Sequence, residues 1–340
     1  MQYLKLVVGL DVAKDSFVGC IGTLDSDLKH YIGKSKDFPN NLIGFKKLLS
    51  WIRKLSQNLK IPFDSHFQFV MEATGVYYEN LAYFLCEENK FVSVILPNKI
   101  KHFAKTLDNK SKTDSLDAAY ITQFGLERNL RQWNIPNPNL RKLKELAREY
   151  QNIKQSTTAI KNQLHAKQYS HSPVIETVKR LKEQLKLYNK QLKQIQTQIE
   201  KLINQDDDLN SKIKNIQSIK GVGLMTVVSI VAETNGFELI RNAKQLTSYA
   251  GLDIVHRQSG KIEGKTKISK RGNKFIRKAL YMPALCACRY NEKLKDIYIK
   301  LIIRKNNKKT GIIAVARKLL VLIYTLWKNN TTYVPNYKIN

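Results

Sequence analysis

The sequence predicts an α/β part followed by an all-α part: a mixed sheet with helices over residues 1–130, then helices alone. Three observations lead there. Short apolar, β-branched runs alternate with helix-period segments up to about residue 130. Past a junction at 131–139 (RQWNIPNPN), rich in proline and asparagine, the pattern is purely helical. The charge changes at the same place: residues 1–130 hold 17 Lys/Arg and 14 Asp/Glu, a net of +3, against 41 and 14, a net of +27, in residues 131–340.

The first run, residues 3–10, reads as a buried strand. Residues 17–23 (FVGCIGT) and 28–35 read as the next two, parted by the polar turn Asp25-Ser26-Asp27. Leu42, Phe45, Leu48, Leu49 and Ile52 keep helical spacing and predict a helix over 40–59. Residues 67–71 then form a strand, 77–89 a helix, and 91–96 (FVSVIL) a strand stopped by Pro97. Helices over 98–107 and 113–128 complete this part. Strands grouped first and then alternating with helices resemble the ribonuclease-H-like order, in which a metal site lies at the ends of central strands.

In the second part, Leu143, Leu146, Tyr150, Ile153, Thr157, Ile160 and Leu164 recur three and four apart. After the break at Ser170-His171-Ser172-Pro173 the seam resumes through Val178, Leu181, Leu185, Tyr188, Leu192, Ile195, Ile199 and Leu202. Two such segments joined by a short loop predict an antiparallel helical hairpin or coiled coil, with an ordinary bundle helix as the alternative. The resulting division is a sheet domain at 1–130, a linker and arm at 131–209, and a third domain at 210–340. The third domain opens on IKNIQSIKGVGLMTVVSIVAE, a helix, a glycine turn and a helix, the pattern of a helix-hairpin-helix element. Such a turn brings backbone amides close to a phosphate; a plain helical turn is the other reading. A basic polar stretch at 256–278 follows, then helices to about residue 328.

The formal charge of +30 points to a nucleic-acid partner. Cys20, Cys86, Cys286 and Cys288 have no zinc-finger or framework spacing and read as reduced thiols of a cytosolic protein. No signal segment opens the chain, and its apolar stretches fall short of the ~20 residues that span a bilayer. No membrane partner is expected, and the localisation is cytoplasmic.

Four acids carry the candidate chemistry. Asp11 closes the first apolar run, Glu72 closes FQFVME, and Asp114 and Asp117 lie three apart in KTDSLDAA, on one helical face. Each has an ordinary structural reading, as a helix cap, a turn former or a dipole partner. Together, delivered from strand ends and a helix start, they can converge into a site for a hard divalent cation, Mg²⁺ or Mn²⁺, acting in phosphoryl transfer. Lys112 beside them suits a phosphate-facing loop. A second constellation is Ser259 in HRQSGK, with Ser269 in ISKRGN ten residues on. A serine nucleophile needs cations to offset charge on the attacked phosphate, and Arg257, Lys261, Lys270, Arg271 and Arg277 supply them. The residues alone leave Ser259 and Ser269 undivided.

The ordered motifs GLDVAKDSF, MEATGVY, KTDSLDA, IKGVGLMTVVSIVAE, LTSYAGLD, RQSGK and ISKRGNKFIRKALY resemble the DEDD-type transposases of insertion-sequence family one-ten, over nearly the whole chain. The resemblance implies an N-terminal RuvC-like domain, a coiled-coil linker and a serine-bearing transposase domain. It places the family's four metal-binding acids on Asp11, Glu72, Asp114 and Asp117, and its catalytic serine on Ser259. It further implies a recombinase of donor and target double-stranded DNA, guided by a structured bridge RNA. The active centre would be shared between subunits of a dimer or tetramer. A site-specific DNA invertase, a two-metal nuclease of the Holliday-junction-resolvase kind, and a nucleic-acid-binding architectural protein stand as alternatives.

Overall fold

The computed structural model describes residues 3–58, 61, 67–107, 113–238, 240–255, 258–259, 262–263 and 267–335, with 258–259 and 262–263 described in backbone alone. The chain divides into two compact units, Met1–Ile135 and Pro136–Asn340.

In the first unit, β1 (Tyr3–Val12), β2 (Ser16–Asp25) and β3 (His30–Pro39) form an antiparallel meander. β4 (Phe67–Glu72) and β5 (Phe91–Ile95) join parallel to β1, giving a five-stranded mixed sheet in the order β3-β2-β1-β4-β5. The third strand starts later than 28 because the Asp25 carboxylate accepts from the Asp27 and Lys29 amides and holds the turn through Lys29. It then runs on to Pro39, paired with Ser16.

Strand alternation sorts the side chains between two cores. Leu6, Val8, Leu10 and Val12 of β1, with Phe67, Phe69 and Met71 of β4, face α1 (Leu42–Asn58) and α2 (Glu79–Glu87). Val7 and Val70 face the other way, onto α3 (Pro97–Ala104) and α4 (Asp114–Glu127), beside Ile100, Phe103, Ile121 and Phe124. The central strands are covered on both faces, as parallel pairing requires, and their near-continuous apolar runs reflect it.

In the second unit, α5 (Pro138–Gln168) and α6 (Ile175–Asn204) form an antiparallel pair joined by a short loop. Leu143 and Ala147 of α5 and Ile195, Ile199 and Ile203 of α6 enter the same core as the C-terminal helices, so the root of the arm belongs to this unit. Towards the tip the seam is thinner, with Thr157 and Leu181 buried and Tyr169 and Ile175 exposed. Then come α7 (Asp207–Gln217), capped by Asp206, and α8 (Leu224–Glu233), capped by Gly223, with Gly221 at a φ of +90° in the turn between them. α9 (Ala243–Tyr249) leads into two short antiparallel ladders: β6 (Ile254–Val255) pairs with β9 (Lys267–Ile268), and β7 (Gln258–Ser259) with β8 (Ile262–Glu263). The basic stretch read as a polar segment therefore contains a β-ribbon. α10 (Lys274–Tyr290), α11 (Glu292–Lys305) and α12 (Lys308–Asn329) close the unit.

Among the described helices, α12 is long and apolar enough to cross a membrane by length and composition, contrary to the expectation that no stretch would be. Its Val315, Leu319, Leu320 and Ile323 are buried in the core of the second unit, which accounts for its apolar character. All four cysteines are free, and burial pushes the Cys20 and Cys288 thiols above their ordinary value.

Candidate active site

Asp11 and Glu72 arrive together because β1 and β4 are parallel and in register. Leu10 pairs with Met71, so the two acids follow at the carboxyl ends of neighbouring strands. Alternation turns both towards α4: Asp11 continues the Val7–Gly9 face, and Glu72 the Val70 face. Both are half-buried.

The helix comes to them through a close approach. A Cβ on Gly9 would lie 2.3 Å from Thr122 Oγ1 and 2.6 Å from the Ala118 carbonyl oxygen, so only glycine lets α4 rest on β1. One on Gly125 would lie 2.6 Å from Val7 Cγ1. The helix therefore runs antiparallel to β1, with Gly125 over Val7 and Ala118 and Thr122 over Gly9. From Gly9 to Asp11 is ~6.6 Å of strand. From Ala118 back to Asp114 is ~6 Å of helix on the same stripe. The first turn of α4 is thus carried to the end of the sheet where Asp11 and Glu72 stand. Thr122 Oγ1 donates to the Ala118 and Cys20 carbonyls and ties the helix to β2 as well.

Thr113 caps α4, its hydroxyl accepting from the Leu116 amide at 3.3 Å. Asp114 (exposed) and Asp117 (half-buried) stand in the first turn of the helix, where its N-terminal dipole attracts negative charge. The loops beyond the two strands are pinned by Asn40, whose amide donates to the Ala13 carbonyl at 2.8 Å and the Tyr77 carbonyl at 3.1 Å. Carboxylate oxygens are the hard donors that Mg²⁺ or Mn²⁺ prefers, so residues of this type fit such an ion by their chemistry. As the side chains stand, no three His, Cys, Asp or Glu among the described residues are close enough to hold one ion. The corner is shared; the carboxylates are not drawn onto a common point. Lys112 lies outside the described residues.

In the second unit, Ser259 pairs with Ile262 as the last described pair of the β7–β8 ladder. Its side chain, together with Arg257 and Lys261, lies outside the described residues. Ser269 is at the other end of the ribbon. Its hydroxyl donates to Asp253 Oδ1 and its amide to the Asp253 carbonyl at 2.9 Å, while its Oγ accepts from the Arg271 amide at 3.3 Å. Lys270 takes a left-handed φ of +53° and stays exposed beside exposed Arg271. Arg277 spends Nη1 on the Ala250 and Gly272 carbonyls, at 2.8 and 3.0 Å, and braces the turn under the ribbon.

The residues that hold this ribbon were not singled out from sequence. Glu233, at the end of α8, is 2% exposed in its side chain and accepts from Arg148 through both oxygens, Nε to Oε1 at 2.5 Å and Nη2 to Oε2 at 2.9 Å. Asn273 donates to Glu233 Oε2 at 2.7 Å while its own oxygen caps α10 through the Phe275 and Ile276 amides. Tyr249 donates its hydroxyl to the Glu233 carbonyl at 2.8 Å. The Glu233 carboxylate holds the Arg148 guanidinium more firmly protonated, and burial pushes the Tyr249 hydroxyl up. The clue was present: an acid closing an otherwise apolar helix (VVSIVAE) needs a partner.

Comparison with known proteins gives two family matches, the first of which runs past the boundary between the two units. Residues 8–170 match the DEDD transposase model of IS110 elements, and residues 213–299 match the model described as "Transposase IS116/IS110/IS902 family". A pilin gene-inverting protein of Moraxella bovis is 29% identical over 336 residues, covering 97% of this chain and 98% of that protein. The transposase for insertion sequence element IS1111A of Coxiella burnetii is 29% identical over 127 residues, 36% of this chain and 35% of that protein. Among solved structures, Thermus thermophilus RuvC aligns at 10% identity with a TM-score of 0.27, covering 38% of this chain and 99% of that one. The class is that of an enzyme that cleaves and rejoins DNA, a transposase. Within it, the chain belongs to the IS110 family.

Proposed function

We propose that the protein recombines DNA by serine attack on a backbone phosphate, with a divalent cation held by Asp11, Glu72, Asp114 and Asp117. The observation that carries this reading is the shared corner of the first unit: two in-register strand ends and the first turn of α4 deliver four acids to one end of the sheet. Mg²⁺ or Mn²⁺ bound there supplies charge stabilisation for phosphoryl transfer. The protein's own part is to present the carboxylates from two strand ends and the first turn of α4.

Ser259 is the proposed nucleophile. Its hydroxyl oxygen bonds to phosphorus, one bridging P–O bond breaks, and the proton ends on the departing strand as a new hydroxyl. The phosphodiester energy is kept in the serine ester, so rejoining to another strand end needs no further energy source. Lys270 and Arg271, exposed beside the ribbon, suit phosphate contacts, and the net charge of +27 in residues 131–340 suits long nucleic-acid backbones. The resemblance to the family supports three finer points: guidance by a structured bridge RNA, pairing of donor and target duplexes, and a centre completed between subunits of a dimer or tetramer.

Site-specific inversion is a second reading, favoured by the similarity to a pilin gene-inverting protein over 97% of this chain. Both readings share the chemistry. The test is cleavage of element-end DNA by the native chain, Ser259→Ala and Asp11→Ala, with the products run on denaturing gels before and after protease. The expected result is a protein–DNA adduct from the native chain alone. Normal strand cleavage by Ser259→Ala, without an adduct, would replace the serine with a water nucleophile.

A further inference from the structure

At the base of the ribbon that carries Ser259 is a pocket of about 490 Å³, lined by Ser248, Asp253, Val255, Lys267, Ile268 and Ser269, with Arg271. We propose that it receives a single nucleobase turned out of a DNA strand, with the adjoining phosphates on Lys267 and Arg271. The proposal rests on the reading that this unit handles DNA.

Volume and lining select the ligand. The pocket falls within the range that buries a small organic molecule and is far larger than a bare phosphate needs. A phosphate alone would also meet the Asp253 carboxylate, which repels it. A base is favoured by the same group. The amino edges of cytosine, adenine and guanine donate N–H bonds, and a carboxylate accepts them. Val255 and Ile268 supply apolar walls for a ring face, while Lys267 and Arg271, both exposed, offer cations for the charged backbone.

The acceptor is preorganised. The Ser269 hydroxyl donates to Asp253 Oδ1, and the Ser269 amide donates to the Asp253 backbone carbonyl at 2.9 Å, so one bond orients the carboxylate and the other fixes the backbone that carries it. Beneath it, a Cβ on Gly272 would lie 2.4 Å from the Gly251 amide nitrogen, so the two turns under the pocket pack backbone to backbone. Location completes the argument. Val255 and Lys267 pair across the ribbon, and chain length keeps the Ser259 backbone within about 14 Å of Val255. A base seated there belongs to a nucleotide near the phosphate at Ser259, and turning it out holds the strand in register for attack.

The test measures equilibrium binding of the full-length chain, without divalent metal, to two duplexes. They are identical except that one carries a single unpaired cytosine and the other an abasic nucleotide at that place. The native protein is expected to bind the cytosine duplex about tenfold more tightly. Asp253→Asn should lose that preference and leave abasic binding unchanged. Equal binding of both duplexes by the native protein would overturn the proposal, as would an Asp253→Asn loss shared by both. Tighter binding of an RNA duplex with the same cytosine preference would overturn the assignment to DNA. Should Asp253→Asn fail to fold, Val255→Trp, on an exposed strand position, fills the pocket and must abolish the preference. The assay reads no cleavage, so its failure leaves the serine chemistry standing, and a cleavage-dead protein still passes it.

Discussion

Arg148 and Glu233 meet across 85 residues of sequence in a two-bond clasp, and the carboxylate in it is 2% exposed. Asn273 at the start of α10 donates to that carboxylate, and Tyr249 at the end of α9 donates to the Glu233 backbone carbonyl, so both segments from which the Ser259 ribbon springs are tied to one residue. Arg148 also lies over the Phe275 ring, 4.7 Å from its centroid, so its guanidinium closes the network on the solvent side.

Breaking the clasp from one side is expected to cost more than removing it. Arg148→Met leaves a buried carboxylate short of its cation and should destabilise the protein by about 2–4 kcal/mol, below the full buried-pair figure because Arg148 is 42% exposed. Combining it with Glu233→Leu should recover part of that loss. Urea denaturation of the single and double variants checks both.

Gly9 sets the distance between α4 and the sheet. Gly9→Ala puts a methyl 2.5 Å from the Thr122 backbone nitrogen, so the helix must shift. A stability loss of about 1–3 kcal/mol is expected. Divalent-cation affinity should fall as well, at temperatures where the variant remains folded. Thermal unfolding with Mn²⁺ titration separates the two effects, and unchanged affinity would remove Gly9 from the positioning of the acids.

Asp117→Asn removes one charge from the acid corner while keeping the shape of the side chain. Cation-dependent DNA cleavage should drop by more than the roughly 10–100-fold typical of residues that only support a ligand. A gel assay over a range of metal concentrations reads this, and full activity at saturating metal would exclude Asp117 as a ligand.

Tyr249 is 42% exposed, but desolvation of its hydroxyl, which donates to the Glu233 carbonyl, disfavours the phenolate and holds its folded pKa above the ordinary value of 10.0. The sign follows: its stabilising contribution is full below about pH 10 and is lost as pH rises through the folded value. Tyr249→Phe lacks this dependence. Melting curves of the two proteins should therefore differ most near neutral pH and converge at strongly alkaline pH.

DNA binding should weaken steeply with salt, since most of the charge lies in residues 131–340. Lys270→Gln and Arg271→Gln should each reduce the slope of log affinity against log salt by about one, without altering base preference. Unchanged slopes would remove both residues from the phosphate contacts.

Much of the first unit was legible in the amino-acid order. The apolar runs ending at Asp11 and Glu72 are strands, and the Asp114 pair opens a helix, because these are local effects: strand alternation, helix period and N-capping act within a few residues. The β6–β9 ribbon was not legible. Its strands are two residues each, among basic and polar residues, and no periodicity survives over so short a length.

What no local pattern could supply was company. That Asp11 and Glu72 are neighbours depends on Leu10 pairing with Met71, a choice of parallel register across sixty residues. That α4 joins them depends on the space left at Gly9. The Arg148–Glu233–Asn273 network and the Asp253–Ser269 pocket likewise form only when distant segments pack, since each is built from polar groups whose burial requires a partner. Residue types and their spacing were enough to mark a basic, nucleic-acid-directed chain with four candidate metal-holding acids; which groups stand together was settled by packing, because burial and hydrogen-bond satisfaction are properties of the folded whole.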